Sequence, residues 1–224
     1  MRSPRSCSPR VARPAGDLKV WIKICGMTSA AAVAAALEAR VDAIGFVFAD
    51  SVRQLTPRRA AQLAQPARGR VRCVAVSRRP SQRALDEILE QFAPDVLQTD
   101  AADLPRLRLP AALERLPVLR AGEELTAALA ARLLFEGPVS GAGIASDWQT
   151  AALLARRSEL VLAGGLNLSN VAAASATVRP FGVDVSSGVE VQPGVKDPAA
   201  IANFVAAVRA AAAAPAAIRS EDPS

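Results

Sequence analysis

Short apolar runs alternate with longer amphipathic stretches along most of the chain. Eight of the runs have the length and aliphatic composition of buried strands, and they cover residues 20–24, 42–48, 70–76, 95–98, 116–120, 132–136, 160–164 and 181–186. Each strand together with the helical segment that follows it is too short to form a hydrophobic core of its own. The alternation therefore predicts parallel strands that are joined by helical crossovers.

Helix signals follow most of these strands. Thr28 is expected to cap the first helix, Asp147 the helix after strand six, and Asn167 the helix after strand seven. Further helices are predicted near residues 57–65, 81–91, 122–130, 147–157 and 198–213, with a short helix or irregular crossover over 101–112. This order, strand and then helix, is the repeat of an α/β fold.

Eight strand–helix units close most economically into one α/β domain, a single (β/α)8 TIM barrel over residues 17–213. An open doubly wound sheet is the alternative. Such a sheet usually carries a glycine fingerprint after its first strand, whereas here residues 25–28 read CGMT and the glycine clusters follow the last three strands. The position of the glycines favours the barrel.

The chain contains no histidine, which excludes His-based triads, imidazole proton shuttles and Cys/His zinc sites. Its three cysteines, at positions 7, 25 and 73, form no CxxC pair, so we expect neither a disulfide framework nor a thiolate metal site. Acid–base chemistry must then use carboxylates, lysine or cysteine. A reducing, cytoplasmic location fits the cysteine pattern.

Positive charge is concentrated at the N terminus. The formal net charge is +6, but residues 1–16 contain four arginines and no acid, and the remainder has 23 basic against 21 acidic residues. This segment is predicted to be a disordered basic tail, and residues 214–224 a flexible C-terminal tail. With a nearly neutral body and few aromatic residues, nucleic-acid binding is not expected, and no stretch is typical of a membrane span.

The ends of the strands are where a barrel carries its active site. Strand alternation directs Lys23 and Cys25 inward on strand one and Glu136 into the mouth on strand six. Cys25 and Glu136 are the candidate proton-transfer groups, and Lys23 could favour the thiolate. Two plainer interpretations stay open: Cys25 as a small buried apolar residue, and Glu136 as the ion-pair partner of an arginine at the rim.

The late glycines predict an anion site. Gly164 and Gly165 follow strand seven, and Ser186, Ser187 and Gly188 follow strand eight. At these two places a barrel can bring backbone N–H groups around a phosphate, because glycine lets the main chain approach closely. Turns after strands use the same residue types, so the prediction depends on the two clusters occurring together.

Six motifs follow one another along the chain: KICGMT (23–28), DAIGFVF with SVR (42–53), DVLQ (95–98), LLFEGPVSGAG with DW (133–148), LAGGLN (162–167) and GVDVSSGVEVQPGVKD (182–197). Together they resemble the phosphoribosylanthranilate isomerase family of tryptophan biosynthesis. The likeness runs from about residue 19 to residue 207.

The resemblance implies an Amadori rearrangement without metal or cofactor, in which N-(5-phosphoribosyl)anthranilate opens and isomerises to 1-(2-carboxyphenylamino)-1-deoxyribulose 5-phosphate. It implies that Cys25 is the general base and that Glu136, where the family has aspartate, is the general acid. Arg53 would contact the anthranilate carboxylate, with Asp184 near the ribose hydroxyls. The phosphate would be held by Gly164, Gly165, Ser186, Ser187 and Gly188.

The sequence departs from the family pattern elsewhere too. Residues 98–101 read QTDA where the family often has QLHG, and Arg40 stands where a helix-ending glycine is usual. Two other functions stay open: a histidine-pathway phosphosugar isomerase, which the cysteine at the end of strand one counts against, and a catalytically impaired barrel with a binding or structural role. We expect a small phosphosugar–anthranilate substrate, no nucleic acid or membrane partner, and a monomer or homodimer.

Overall fold

A computed structural model describes residues 19–122, 130–137 and 146–213 of the chain. Eight parallel strands pair in chain order, and the eighth pairs with the first, so the sheet closes into a barrel. The strands are β1 Trp21–Cys25, β2 Ala43–Val47, β3 Arg72–Val76, β4 Val96–Asp100, β5 Glu114–Arg120, β6 Arg132–Glu136, β7 Glu159–Leu162 and β8 Gly182–Val185. The predicted TIM barrel is confirmed.

Helices cover the outside of this barrel. They are α1 Ala30–Glu38, α2 Pro57–Ala64, α3 Gln82–Gln91, α4 Trp148–Ala155, α5 Val171–Val178 and α6 Pro198–Ala213, with a 3-10 segment at Ala101–Arg106 after β4. The Asp147 side chain accepts hydrogen bonds from two N–H groups of the first turn of α4, as predicted. The helix predicted over 122–130 and both predicted tails lie almost entirely outside the described residues.

Two predicted helix caps are wrong. The cap of α1 is Ser29, whose Oγ accepts from the Ala32 N–H, while the Thr28 hydroxyl donates to the Gly194 carbonyl 2.7 Å away. Asn167 accepts from the Ser169 N–H and so closes a turn, and α5 begins only after Asn170. Thr28 finds its partner in a loop distant in sequence, whereas Asn167 finds its partner within its own loop, and neither side chain caps the helix.

Apolar side chains form two layers that follow the alternation along the strands. One layer fills the barrel interior, and the other packs the outer face of the sheet against the helices. On β6, Leu134 belongs to the interior layer, and Leu133 and Phe135 to the outer one. Glu136 therefore follows Leu134 on the inner face, at the C-terminal end of the strand.

A short hairpin follows β8 and was not predicted. It consists of β9 Glu190–Gln192 and β10 Val195–Lys196, which pair antiparallel around Gly194, a residue with φ of 83°. Gly188 lies just before the hairpin, packed so closely on the Leu166 carbonyl that a Cβ there would clash. Among the helices in the described ranges, none is long and apolar enough to cross a membrane.

Candidate active site

A cavity of about 370 Å³ opens at the C-terminal ends of the barrel strands. Eight of the nine predicted site residues line it, which are Cys25, Arg53, Glu136, Gly164, Gly165, Asp184, Ser186 and Ser187. Gly188 does not line the cavity; its contact is with the Leu166–Asn167 backbone, so it brings the loops after β7 and β8 together. The barrel thus collects at one mouth residues that lie far apart in sequence.

The thiol of Cys25 lies on the β1 side of this mouth beside a buried ion pair. Lys23 is fully buried, and its Nζ is 2.8 Å from Asp184 Oδ1 on β8. A Cβ at Gly45 on β2 would be 3.1 Å from Cys25 Sγ and 3.3 Å from Lys23 Nζ. The glycine therefore leaves the space in which the thiol and the ammonium group meet.

Burial raises the pKa of the Cys25 thiol above its ordinary value. Lys23 and Lys196 oppose that rise, because their positive charges favour the thiolate. The pKa of Lys23 is itself raised, since Asp184 and Cys25 together outweigh the effect of burial, so Lys23 stays charged. The expected help from Lys23 is present, and burial still keeps the resting thiol protonated at neutral pH.

Glu136 lies at the end of β6, and the guanidinium of Arg120 links it to Asp100. Arg120 Nη2 is 3.1 Å from Glu136 Oε1 and 2.7 Å from Asp100 Oδ1. Arg120 ends β5, and its Cα is the register partner of Glu136. The ion pair with a rim arginine therefore exists, and it fixes the direction of the Glu136 side chain while leaving that residue in the cavity wall.

The loops after β7 and β8 have the features of an anion site. Gly164 and Gly165 adopt φ values of 86° and 63°, which favour glycine. The side chain of Asn170 holds this loop by donating to the Gly165 carbonyl at 2.8 Å. In the part of the chain that the structure describes, the N–H groups of Gly164, Gly165 and Ser187 donate to no acceptor. These N–H groups are available to an anion in the cavity.

Arg53 stands over the end of β1 and is held by Glu190. Its Nε and Nη2 are each 2.7 Å from a different oxygen of the Glu190 carboxylate. Lys196 Nζ lies 2.6 Å from Glu190 Oε1 and also donates to the Ser186 carbonyl and hydroxyl. The hairpin that follows β8 thus connects Arg53 with the Ser186 loop.

Several known proteins are similar to this chain over most of its length. A family model described as N-(5'phosphoribosyl)anthranilate (PRA) isomerase matches residues 22–207. An N-(5'-phosphoribosyl)anthranilate isomerase of Rhizobium etli is 39% identical over 213 residues, which cover 87% of this chain and 96% of the relative. The chain belongs to the N-(5'-phosphoribosyl)anthranilate isomerase family.

Further proteins are similar to this chain in sequence and in structure. The Mesorhizobium japonicum isomerase is 40% identical over 85% of this chain and 95% of its own. The crystal structure of TrpF from Jonesia denitrificans matches with a TM-score of 0.72 and 36% identity, covering 87% of this chain and 98% of that one. The structure of a phosphoribosyl anthranilate isomerase in complex with reduced 1-(o-carboxyphenylamino)-1-deoxyribulose 5-phosphate matches with a TM-score of 0.71 and 27% identity. The match covers 85% of this chain and 99% of that one.

Several residues at the mouth of the barrel were not among the predicted site residues. Arg120 and Asp100 lie at strand ends as Glu136 does, so the same pattern could have indicated Arg120, whereas β4 ends two residues later than predicted. Glu190 and Lys196 belong to a motif whose hairpin had no periodic signal. Two further buried lining groups, Ser77 Oγ and Gln98 Oε1, have no hydrogen-bond partner within the described ranges.

Proposed function

We propose that this chain isomerises N-(5-phosphoribosyl)anthranilate to 1-(2-carboxyphenylamino)-1-deoxyribulose 5-phosphate in tryptophan biosynthesis. The observation that carries the proposal is the cavity at the barrel mouth, whose wall combines a thiol, a carboxyl group, an arginine and the unused N–H groups of two loops. Membership of the isomerase family supports the same reaction.

In the proposed reaction, Glu136 acts first as the general acid. It donates a proton to the furanose ring oxygen while the C1–O bond breaks, and the nitrogen lone pair of the anthranilate forms the C1=N bond. Glu136 is one methylene longer than the aspartate of the family pattern. Its contact with Arg120 supports a fixed direction for the longer side chain, which matters because proton transfer requires hydrogen-bond distance.

Cys25 then acts as the general base. The thiol first loses its own proton to solvent at the open mouth. The thiolate then removes the proton from C2, and the electron pair of that C–H bond moves into C1=C2 as the C1=N pair returns to nitrogen. The resulting enol becomes the ketone when its hydroxyl proton leaves and C1 is protonated. Lys23 supports this step, because a buried ammonium group beside the thiol stabilises the thiolate that has to form.

Substrate orientation would come from its two anionic ends. The N–H groups of Gly164, Gly165 and Ser187 bind the phosphate, with Ser186 beside them and Gly188 holding the loops together. Arg53 takes the anthranilate carboxylate at the other side of the mouth. Asp184 stays near the ribose hydroxyls through its pair with Lys23.

The test is turnover by the purified protein, followed as loss of the fluorescence of phosphoribosylanthranilate. We expect product formation without added metal or cofactor, and growth rescue of a tryptophan auxotroph that lacks this step. A folded protein that binds the product analogue but forms no product would instead identify a catalytically impaired barrel. Product formation only from a histidine-pathway substrate would also contradict the proposal.

We further propose that the enzyme works in the cytoplasm as a monomer or homodimer and binds neither nucleic acid nor membranes. The cysteine pattern and the nearly neutral body of the chain support this. Light scattering after size-exclusion chromatography measures the oligomeric state, and a trimer or larger assembly would contradict the proposal.

A further inference from the structure

Among the residues that the structure describes, Arg53 contacts acceptors with only one edge of its guanidinium. We propose that Glu190 is a positioning residue, which holds the Nε/Nη2 edge of Arg53 so that the Nη1/Nη2 edge receives the carboxylate of the substrate. This inference rests on the proposed function. It assigns to Glu190 the selection of substrates that carry a carboxylate on the aromatic ring.

The geometry of the guanidinium supports two bidentate contacts at once. A guanidinium carries five N–H donors in one plane, and each of two edges can match a carboxylate. Glu190 occupies the edge formed by Nε and Nη2, at 2.7 Å for both contacts. Nη1 contacts no acceptor among the described residues, and Arg53 lines the cavity. The edge that remains is the one that a substrate carboxylate can take.

Glu190 is itself firmly fixed. Its side chain is only 4% exposed, and its carboxylate also accepts from Lys196 Nζ at 2.6 Å and from the Gly194 N–H at 3.3 Å. Although burial acts to raise it, the hydrogen bonds from Arg53 and Lys196 hold the pKa of Glu190 at about 2. Glu190 is therefore a carboxylate throughout the range in which enzymes work.

The charges in this cluster leave room for one more anion. Arg53 and Lys196 carry two positive charges against the one negative charge of Glu190, and all three side chains are largely buried. Without Lys196, a substrate carboxylate would meet a neutral pair. With Lys196 it meets one net positive charge, which offsets the desolvation of the carboxylate.

The aliphatic stem of Arg53 connects this cluster with the base. A Cβ at Gly26 would be 2.5 Å from Arg53 Cδ and 3.2 Å from Ser186 Oγ, so the stem lies directly over the residue after Cys25. Ser186 Oγ in turn donates to the Cys25 carbonyl at 3.1 Å. A carboxylate on Arg53 would therefore fix the aromatic end of the substrate relative to the thiol.

The experiment compares phosphoribosylanthranilate with the phosphoribosyl adduct of aniline, which lacks the carboxylate. The measured quantity is kcat/KM for phosphoribosylanthranilate divided by kcat/KM for the aniline adduct. For Glu190→Gln we expect this ratio to fall at least about tenfold, because the guanidinium of Arg53 is no longer held in a fixed orientation. If Glu190 acted only through its charge, its removal would leave the carboxylate a more positive site and raise the ratio. An unchanged or increased ratio overturns the proposal.

A double-mutant cycle tests whether Glu190 acts through Arg53. Arg53→Lys should lower the ratio by itself, and Glu190→Gln added to it should change the ratio by less than about twofold. A further large decrease would mean that Glu190 acts elsewhere. Glu114→Gln is the matched control, because Glu114 also pairs with two arginines, Arg72 and Arg132, but at the opposite end of the barrel. It should leave the ratio unchanged.

A measurement on the unaltered protein covers the case in which Glu190→Gln does not fold. In a ¹⁵N NMR spectrum, Arg53 Nε–H should give a protected signal, assigned by its loss in Arg53→Lys, and the signal should persist when anthranilate saturates the site. Disappearance of the protection on binding would contradict the proposal. Absence of turnover with both substrates would refute the proposed function itself, whereas turnover with an unaffected ratio refutes only this inference.

Discussion

The two described cysteines differ in surroundings much more than in burial. Both are buried, and burial raises the pKa of both thiols, that of Cys73 to about 11. Cys73 packs in the layer between the sheet and the helices, whereas Cys25 lines the cavity and has Lys23 and Lys196 near it. Arg68 also opposes the rise at Cys73, but of these two thiols only Cys25 lines the cavity in which the proposed substrate would bind.

This contrast predicts different effects of the same substitution. Cys25→Ala should reduce kcat at least about 10²-fold, because the general base is lost, and should leave binding of the product analogue intact. Cys73→Ala, the matched control, should lower the melting temperature and keep kcat. The measurements are steady-state kinetics and thermal unfolding. Wild-type turnover by Cys25→Ala would remove the assignment of the base.

Two substitutions of Glu136 test separately the need for an acidic proton and the effect of side-chain length on turnover. Glu136→Gln keeps the shape but has no acidic proton, so kcat should fall by about 10² to 10⁴. Glu136→Asp restores the carboxyl group of the family pattern and should remain active. Both variants are compared with wild-type protein in the fluorescence assay, and a fully active Gln variant would dismiss Glu136 as the acid.

At the scale of the elements, α1 ends in an unfavourable conformation. Arg40 follows the helix with φ of 56°, in the left-handed region that favours glycine, the residue usual at this position in the family pattern. Its side chain is exposed and its carbonyl accepts from Arg209, a contact that any residue can keep. The strain therefore belongs to the backbone of this one residue.

Arg40→Gly should stabilise the protein by about 0.5–1 kcal/mol, since glycine adopts this conformation without the steric cost. Ala34→Gly, on the exposed face in the middle of α1, should cost about 1 kcal/mol and serves as the control. Urea unfolding measures both changes. Destabilisation by Arg40→Gly would show that the arginine side chain has a structural role.

The hairpin β9–β10 should make stability depend on acid pH. The pKa of Glu190 is lowered from 4.5 to about 2 in the folded state, so its carboxylate stabilises the fold above pH 4.5. That contribution is lost as the pH falls through 4.5 towards 2. Glu190→Gln should be less stable than wild type at neutral pH, and the difference should shrink towards pH 2. Parallel unfolding midpoints of the two proteins from pH 6 to pH 2 would contradict this.

Period and alternation could predict the strands, because each β-strand divides its residues between two apolar layers. They could not predict the hairpin after β8, because its strands are short and most of their residues are exposed. The hairpin is held by the charged side chains of Glu190 and Lys196. The two misplaced caps have different causes. Thr28 has the residue type of a cap but donates to Gly194, which is distant in sequence, whereas Asn167 closes a turn with Ser169 in its own loop before α5 begins.

At the scale of the whole molecule, closure of the barrel is what creates the site. The strand ends could be predicted to carry the proposed acid and the proposed base, since the fold puts all eight ends at one mouth. Which charged side chains pair across the mouth could not be predicted. Arg120 joins Glu136 to Asp100, and Arg53 pairs with Glu190, through contacts between neighbouring strands and loops that no local pattern encodes.

The central claim is that a thiol and a carboxyl group reach adjacent parts of one pentose. A crystal structure of this chain with the reduced product analogue tests it most directly. We predict Cys25 Sγ within about 3.5 Å of C2 and the Glu136 carboxyl within about 3.2 Å of the oxygen on C4, with the phosphate on the loops after β7 and β8. A sugar bound with either side chain beyond the reach of those atoms would contradict the account.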